Sequence, residues 1–145
     1  MAHLFSTGHR NAANDNGPST IYDTNGRLAF FSGTDPTDPN AAIANTKLAE
    51  FTLATDAFGA SASGVATLAA VSQVSGLAAG DITFAVFYRS GDTALTSAAG
   101  TSDRRWIMTD IRTTAGGDLQ VNTLTVSVNL PISLTSFTLT YPASA

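Results

Sequence analysis

The residues able to do chemistry are few, and their spacing limits what they could do. His3 and His9 are the only histidines. With Ser6 and Asp15 they offer the members of a Ser–His–Asp arrangement, in which an imidazole takes the proton of an attacking hydroxyl and a carboxylate orients the ring. No glycine-flanked serine follows a strand as a nucleophile elbow requires, and Ser6-Thr7-Gly8 reads as a turn. Asp35 and Asp38, with Thr34, Thr37 and Asn40, supply oxygen ligands of the kind calcium takes. Their spacing is not that of an EF-hand loop, and both aspartates precede proline, where turn formation accounts for them. Asp15 between Asn14 and Asn16 reads the same way. Glu50 is the sole glutamate. A glycosidase pair needs a second carboxyl about 5–10 Å away in a cleft, and Asp81 and Asp110 are the available partners. Both fall at strand ends, and the position of Glu50 beside Leu48 and Thr52 suits a solvated or salt-bridged strand residue. Neither a dinucleotide fingerprint nor a P-loop occurs. No catalytic residue, metal or cofactor is expected.

Arg104-Arg105-Trp106 is the one local concentration of basic and aromatic side chains. Arg with Trp is the composition of interface hot spots. Alternation along a strand sends the two arginines to opposite faces, so they cannot both grip one ligand without a bulge. The competing reading puts Trp106 in the core and pairs the arginines with Asp103, Asp110 or a neighbouring subunit.

The elements that must position these residues are strands. Arg27–Ser32, Lys47–Leu53, Asp81–Arg89 and Arg104–Ile111 alternate apolar and polar residues with the period of two that marks a pleated strand. Leu28 and Phe30 oppose Ala29 and Phe31. Leu48, Glu50 and Thr52 oppose Ala49, Phe51 and Leu53. In Asp81–Arg89, Phe87 lies opposite Ile82, Phe84, Val86 and Tyr88, which predicts a sheet covered in part on both sides. Val65–Val74 is read as a strand from its Val, Thr and flanking glycines. Two Thr-rich strands close the chain: Leu124, Val126, Val128 and Leu130 alternate with Thr125, Ser127 and Asn129, and Phe137, Leu139 and Tyr141 alternate with Thr138 and Thr140. From Leu119 to Ala145 there is no Asp, Glu, Lys, Arg or His. One face of these strands should be core, and their hydroxyl face should lie against another strand, another copy or another protein.

Residues 1–26 read as an extended N-terminal arm, punctuated by Gly8, Gly17-Pro18 and Asn25-Gly26 and pinned at Leu4-Phe5 and Ile21-Tyr22. Residues 27–145 form the domain. The expected fold is an all-β antiparallel β-sandwich, jelly-roll or Ig-like, of seven to eight short strands, with a closed barrel as the competitor.

At 145 residues the chain has room for one domain and one core. Charged residues are 12% of it, about half the roughly 25% of an ordinary soluble domain. The net charge of −4, with a pI near 4.7 and scattered basic residues, excludes a polyanion footprint, so no nucleic acid partner is expected. Cysteine is absent, which excludes disulfides and thiolate chemistry. No run approaches the roughly 20 apolar residues that span a bilayer, and the N-terminus lacks the apolar core of a secretion signal. A soluble product made in a cytoplasm, with no membrane partner, is the expectation.

Several phrases resemble a known family. Leu4-Phe5-Ser6-Thr7-Gly8-His9-Arg10-Asn11-Ala12 and Arg27–Pro36, with its Phe31-Ser32-Gly33-Thr34-Asp35-Pro36 ending, resemble small structural proteins encoded among tailed-phage head genes. So do Leu48–Leu53, the turn Asp56-Ala57-Phe58-Gly59, and the closing Leu134–Pro142. The chain departs from the pattern in a shorter link after the arm, in Phe31 where tyrosine is usual, and in the added Arg104-Arg105. The resemblance implies a bacteriophage virion protein, a capsid decoration or cement protein on the outer shell, with no catalytic residue. Its partners would be the major capsid protein and itself, as a homo-oligomer with a trimer the first guess. The surface assigned to assembly is Leu4, Phe5, Arg10, Ile21, Tyr22, Arg104 and Arg105. Deleting residues 1–22 is expected to weaken attachment and leave a folded domain. The alternatives are a neck, tail or baseplate component, and a carbohydrate- or receptor-binding sandwich presenting an exposed Trp106.

Overall fold

Alternation of large apolar side chains along four segments builds the frame. A computed structural model describes residues 3–9, 21–59 and 65–140, with the backbone alone for 3, 139 and 140. Among the described residues fourteen short strands form: β1 (His3–Phe5), β2 (Gly26–Phe31), β3 (Lys47–Thr52), β4 (Val65–Thr67), β5 (Val74–Ser75), β6 (Gly80–Asp81), β7 (Phe84–Arg89), β8 (Arg105–Met108), β9 (Ile111–Arg112), β10 (Leu119–Val121), β11 (Thr125–Val126), β12 (Pro131–Ile132), β13 (Leu134–Ser136) and β14 (Thr138–Thr140). The fold is all-β and sandwich-like. Its largest layer is a five-stranded sheet in the order β1-β8-β7-β2-β3, antiparallel at every pairing. This sheet is open, with β1 and β3 at its edges.

Both faces of that sheet are covered, as the position of Phe87 predicts. On the inner face Leu28, Phe30, Phe51, Phe87, Trp106 and Met108 pack with Leu119, Val126 and Ile132 from the smaller sheets and with Phe58, Leu68 and Phe137 from the segments beside them. Phe87, Trp106 and Phe137 meet with ring centroids 5.2–5.4 Å apart. Burying each such ring contributes on the order of 2 kcal/mol. On the outer face Phe31, Phe84, Val86 and Ile107 pack with Ile43 and Leu95, which arrive from two loops. Those loops are tied together by the Ile43 amide donating to the Leu95 carbonyl (2.7 Å).

The second layer is assembled from fragments. β13, β10 and β9 form one small sheet, and β11-β6, β12-β5 and β14-β4 form two-stranded ones. The β9–β10 pairing is parallel, an exception to the antiparallel expectation.

The structure corrects several readings of the sequence. The expected arm over 1–26 is not separate from the domain where it is described. β1 lies in register on β8, with Leu4 opposite Ile107, and Ile21 and Tyr22 are core residues. The segment 10–20, including Arg10 and Asp15, lies outside the described residues.

Leu48 does not share a face with Glu50. Phe30 pairs with Ala49 and Phe31 with Lys47, so Leu48 is the extra residue of a bulge, and it enters the inner core beside Ala49.

The closing segment is not two continuous strands. Leu124–Leu130 is broken at Ser127–Leu130, where the Leu130 amide donates to the Ser127 carbonyl and Asn129 takes a φ of 65°. Asparagine tolerates that left-handed geometry, and it turns Val128 outward, 59% exposed, in place of the core position that alternation predicts. The predicted strand 65–74 likewise ends at Thr67, with one isolated bridge at Leu68.

One regularity survives the break. Ser75 pairs with Pro131 and Gly80 with Val126. The two pairings lie five residues on along one chain and five back along the other. Segments 74–82 and 124–132 therefore form one antiparallel ribbon with an unpaired bubble at its middle. The ribbon is closed at one side of the bubble by the Gly76 amide on the Leu130 carbonyl (2.8 Å), and at its far end by the Ile82 amide on the Leu124 carbonyl (2.8 Å). Gly76 is required there, because a Cβ would collide with the Ser127 carbonyl oxygen.

Candidate functional site

The groups with catalytic potential near the N-terminus meet in a buried knot. Residues 7–9 make one helical turn, and Ser6 precedes it as an N-cap whose Oγ accepts from the His9 amide (3.2 Å). The same oxygen accepts from the Arg105 amide (2.9 Å) and donates to the Asp103 carbonyl (2.7 Å). The hydroxyl thus has its proton and lone pairs committed to the backbone, which is the arrangement of a structural serine. His9 is 4% exposed, packed against Phe5 and Trp106 with centroids 4.5 and 5.9 Å away. Its Nδ1 lies 2.7 Å from the Tyr22 hydroxyl. Desolvation, helped by the Arg104 charge, lowers the imidazole pKa from 6.5 to about 4. Burial first, and then Asp92, pushes the Tyr22 hydroxyl well above its ordinary value. Tyr22 therefore keeps its proton and the ring beside it is neutral, so the bond joins two uncharged groups.

Arg105 is 1% exposed. Its guanidinium donates to the carbonyls of Ala41 (3.0 Å), Ala94 (3.1 Å) and Ser97 (2.9 Å). A cation gathering carbonyl oxygens fixes the shape of the loops that bring them. The Asp103 carboxylate reinforces the same loops, accepting from the Thr93 and Gly100 amides. Burial alone would raise that carboxyl, but these bonds and Arg105 outweigh it and hold it low.

A second cluster lies on the outer face. Glu50 accepts from the Tyr88 hydroxyl (2.6 Å) and from Lys47 Nζ (2.5 Å), with Arg27 at 4.0 Å. Burial works to raise the Glu50 carboxyl, and the hydrogen bonds and cations prevail, holding it below its usual value. Burial and Glu50 together push the Tyr88 hydroxyl up. Beside them opens a cleft of about 310 Å³, with Phe31, Ile43 and Leu95 at its floor, Tyr88 in its wall and Lys47 and Asp92 at its rim. This is at the small end of ligand-pocket sizes.

The residues singled out from sequence are thus dispersed. Ser6 and His9 are neighbours, but in structural roles. Asp35 is exposed, and Asp38 accepts from the Asn40 amide (2.9 Å), the turn chemistry expected of it. No cluster of three metal-ligating side chains exists among the described residues. Asp81 accepts from Thr125 Oγ1 (2.7 Å), and Asp110 grips Arg112 at 2.6 and 2.9 Å. Neither shares a cleft with Glu50. Trp106 is 3% exposed, so the exposed stacking surface of the carbohydrate-binding alternative is not formed by that residue.

Of the assembly residues assigned from sequence, Ile21, Tyr22 and Arg105 are interior. This corrects their assignment to a surface, the reason being that each completes the core or the loop framework of its own chain. Leu4 and Phe5 are half-buried at the β1 edge. Arg104 is half-buried, its amide on Asp92 (2.8 Å) and its guanidinium 3.8 Å from the same carboxylate.

The two large apolar side chains that are exposed among the described residues are Leu77 (58%) and Val128 (59%). Sequence reasoning missed both, because each sits in an apolar pattern that reads as core. The glycine before Leu77 and the asparagine after Val128 are the signals that mark the break. No family profile matches this chain, and no curated protein or solved structure was found to be similar to it.

Proposed function

We propose that the chain is a virion structural protein, a decoration or cement protein that binds the outer surface of a tailed-phage capsid and bridges its subunits. The phrases of sequence described above suggest the class. The observation that carries a contact-making role is the partition of polar groups. The side chains able to act on a substrate, Ser6, His9, Tyr22, Glu50 and Tyr88, are spent on internal hydrogen bonds. The surface left by β11, β13 and β14 is neutral and hydroxyl-rich, with Thr125, Ser127, Thr135, Ser136 and Thr138 exposed. Neutral hydroxyls can be covered at little desolvation cost compared with charges, and a weak contact repeated over a symmetric shell adds up through multivalency. The partners are the major capsid protein and other copies of this chain.

Electron microscopy of intact particles tests the reading. Density for this fold over the whole shell supports it. A single ring of copies at a neck, tail or baseplate moves the protein to that part of the virion, and absence from the particle overturns the reading.

A further inference from the structure

We propose that the outer cleft is a binding site for a small apolar carboxylate. Lys47 takes the carboxylate, and Phe31, Ile43 and Leu95 take the apolar body. This site goes beyond the virion reading and does not depend on it. At about 310 Å³ the cleft has room for one ring or branched chain with its head group, and not for a long ligand.

Both walls of the cleft are fixed by polar networks. A buried arginine is seldom better for stability than apolar residues of its size, so what Arg105 secures is a shape. Its guanidinium holds the carbonyls of Ala41, Ala94 and Ser97, which flank Ile43 and Leu95 in the two loops. The Ala99 amide on the Asn40 carbonyl (2.7 Å) joins the same loops again. On the strand side Glu50 fixes both Lys47 and Tyr88, and the Lys47 ammonium lies 5.8 Å from the centre of the Tyr88 ring. A floor and a cation that are held before a ligand arrives need little further ordering on binding.

Charge selects the head group. Lys47 and Arg27 share the one carboxylate of Glu50, so this side of the cleft keeps a surplus positive charge in a protein of net charge −4. Asp92, the acidic residue of the lining, is offset by Arg104, whose amide it accepts and whose guanidinium is 3.8 Å away. The Lys47 side chain is 36% exposed, and an ammonium has donors to spare beyond its bond to Glu50. A single surplus charge beside an apolar floor matches a monoanion with an apolar body. Inorganic phosphate or sulfate would leave that floor unfilled.

Amide chemical-shift titration of the whole chain with phenylacetate tests this, and needs no capsid. Saturable shifts should centre on Ile43, Lys47 and Leu95. Phenylacetamide, which lacks the charge, and acetate, which lacks the ring, should each bind at least about tenfold more weakly. Lys47→Met should weaken phenylacetate about tenfold and leave phenylacetamide unchanged. Ala94→Trp should abolish binding by filling the cleft. Ala94 is exposed on the cleft wall, and its carbonyl bond to Arg105 is unaffected by the side chain. Both variants should keep the wild-type circular dichroism. The proposal is overturned by an absence of saturable shifts or by shifts centred elsewhere. It is equally overturned if phenylacetamide or acetate binds as tightly as phenylacetate, or if either folded variant binds phenylacetate like the wild type.

Discussion

The Nδ1 of His9 sits 2.7 Å from the hydroxyl of Tyr22, inside a cage of aromatic rings that closes the N-terminal strand onto the core. The pair joins two segments that the sequence presents as separate anchor points of an arm. It also makes the domain sensitive to acid.

His9 has its folded pKa depressed from 6.5 to about 4. The native state thus favours the neutral ring, and stability is full above pH 6.5. It declines as pH falls from 6.5 toward 4, by about 3 kcal/mol once the ring is protonated in both states, at 1.36 kcal/mol per unit. Melting temperature against pH should fall through that window. In His9→Gln the part of the slope above pH 5 should flatten, leaving only the carboxylate titrations below.

Arg105→Met should destabilise the domain by about 3 kcal/mol, the range for breaking a buried charged network by removing one partner. The carbonyls of Ala41, Ala94 and Ser97 lose their donor. Arg105→Lys should recover only part of this, because one ammonium lacks the planar fork that reaches three carbonyls on two loops. Urea unfolding of both variants measures the difference.

Ser6→Ala removes a helix cap and two buried bonds that tie β1 to β8. A loss of about 2 kcal/mol is expected. Amide exchange should quicken in β1 and along Arg105–Met108 before it does in β2 or β3, because the opening is local to that edge.

Tyr88→Phe deletes the donor to Glu50 Oε2. The Glu50 carboxyl should then titrate at higher pH than in the wild type. As Glu50 is the sole glutamate, its carboxyl resonance can be followed by NMR through a pH series. Stability should fall by about 1 kcal/mol.

Deleting residues 1–22 should now be expected to unfold or strongly destabilise the domain, because it removes β1 and the core residues Ile21 and Tyr22. The expectation of a folded truncation assumes an arm lying outside the domain. Circular dichroism of the truncated chain distinguishes the two.

Strands β2, β3, β7 and β8 were legible in the alternation of their residues. Each lies in a sheet that is packed on both faces, and period two survives wherever a strand stays flat and paired. The faces of Trp106 and Phe87 were legible for the same reason. β1 was not, because three residues are too few for a period to show. Leu48 and Val128 were misplaced because a bulge or a left-handed residue shifts the side chains by one position, and nothing in the apolar pattern records that shift.

The amino-acid sequence by itself determined an all-β chain poor in charge, and a closing segment with no acid, base or cation to offer. Those are properties of composition and period, which local chemistry fixes. Tertiary structure alone decided what the polar residues are for. Ser6 meets Asp103 and Arg105 across nearly a hundred residues of chain, and Arg105 meets carbonyls from two loops. Such partners are set by how strands from distant parts of the chain are ordered in the sheet. The neighbours of a side chain on its own strand do not reveal whether it ends in water or in the core.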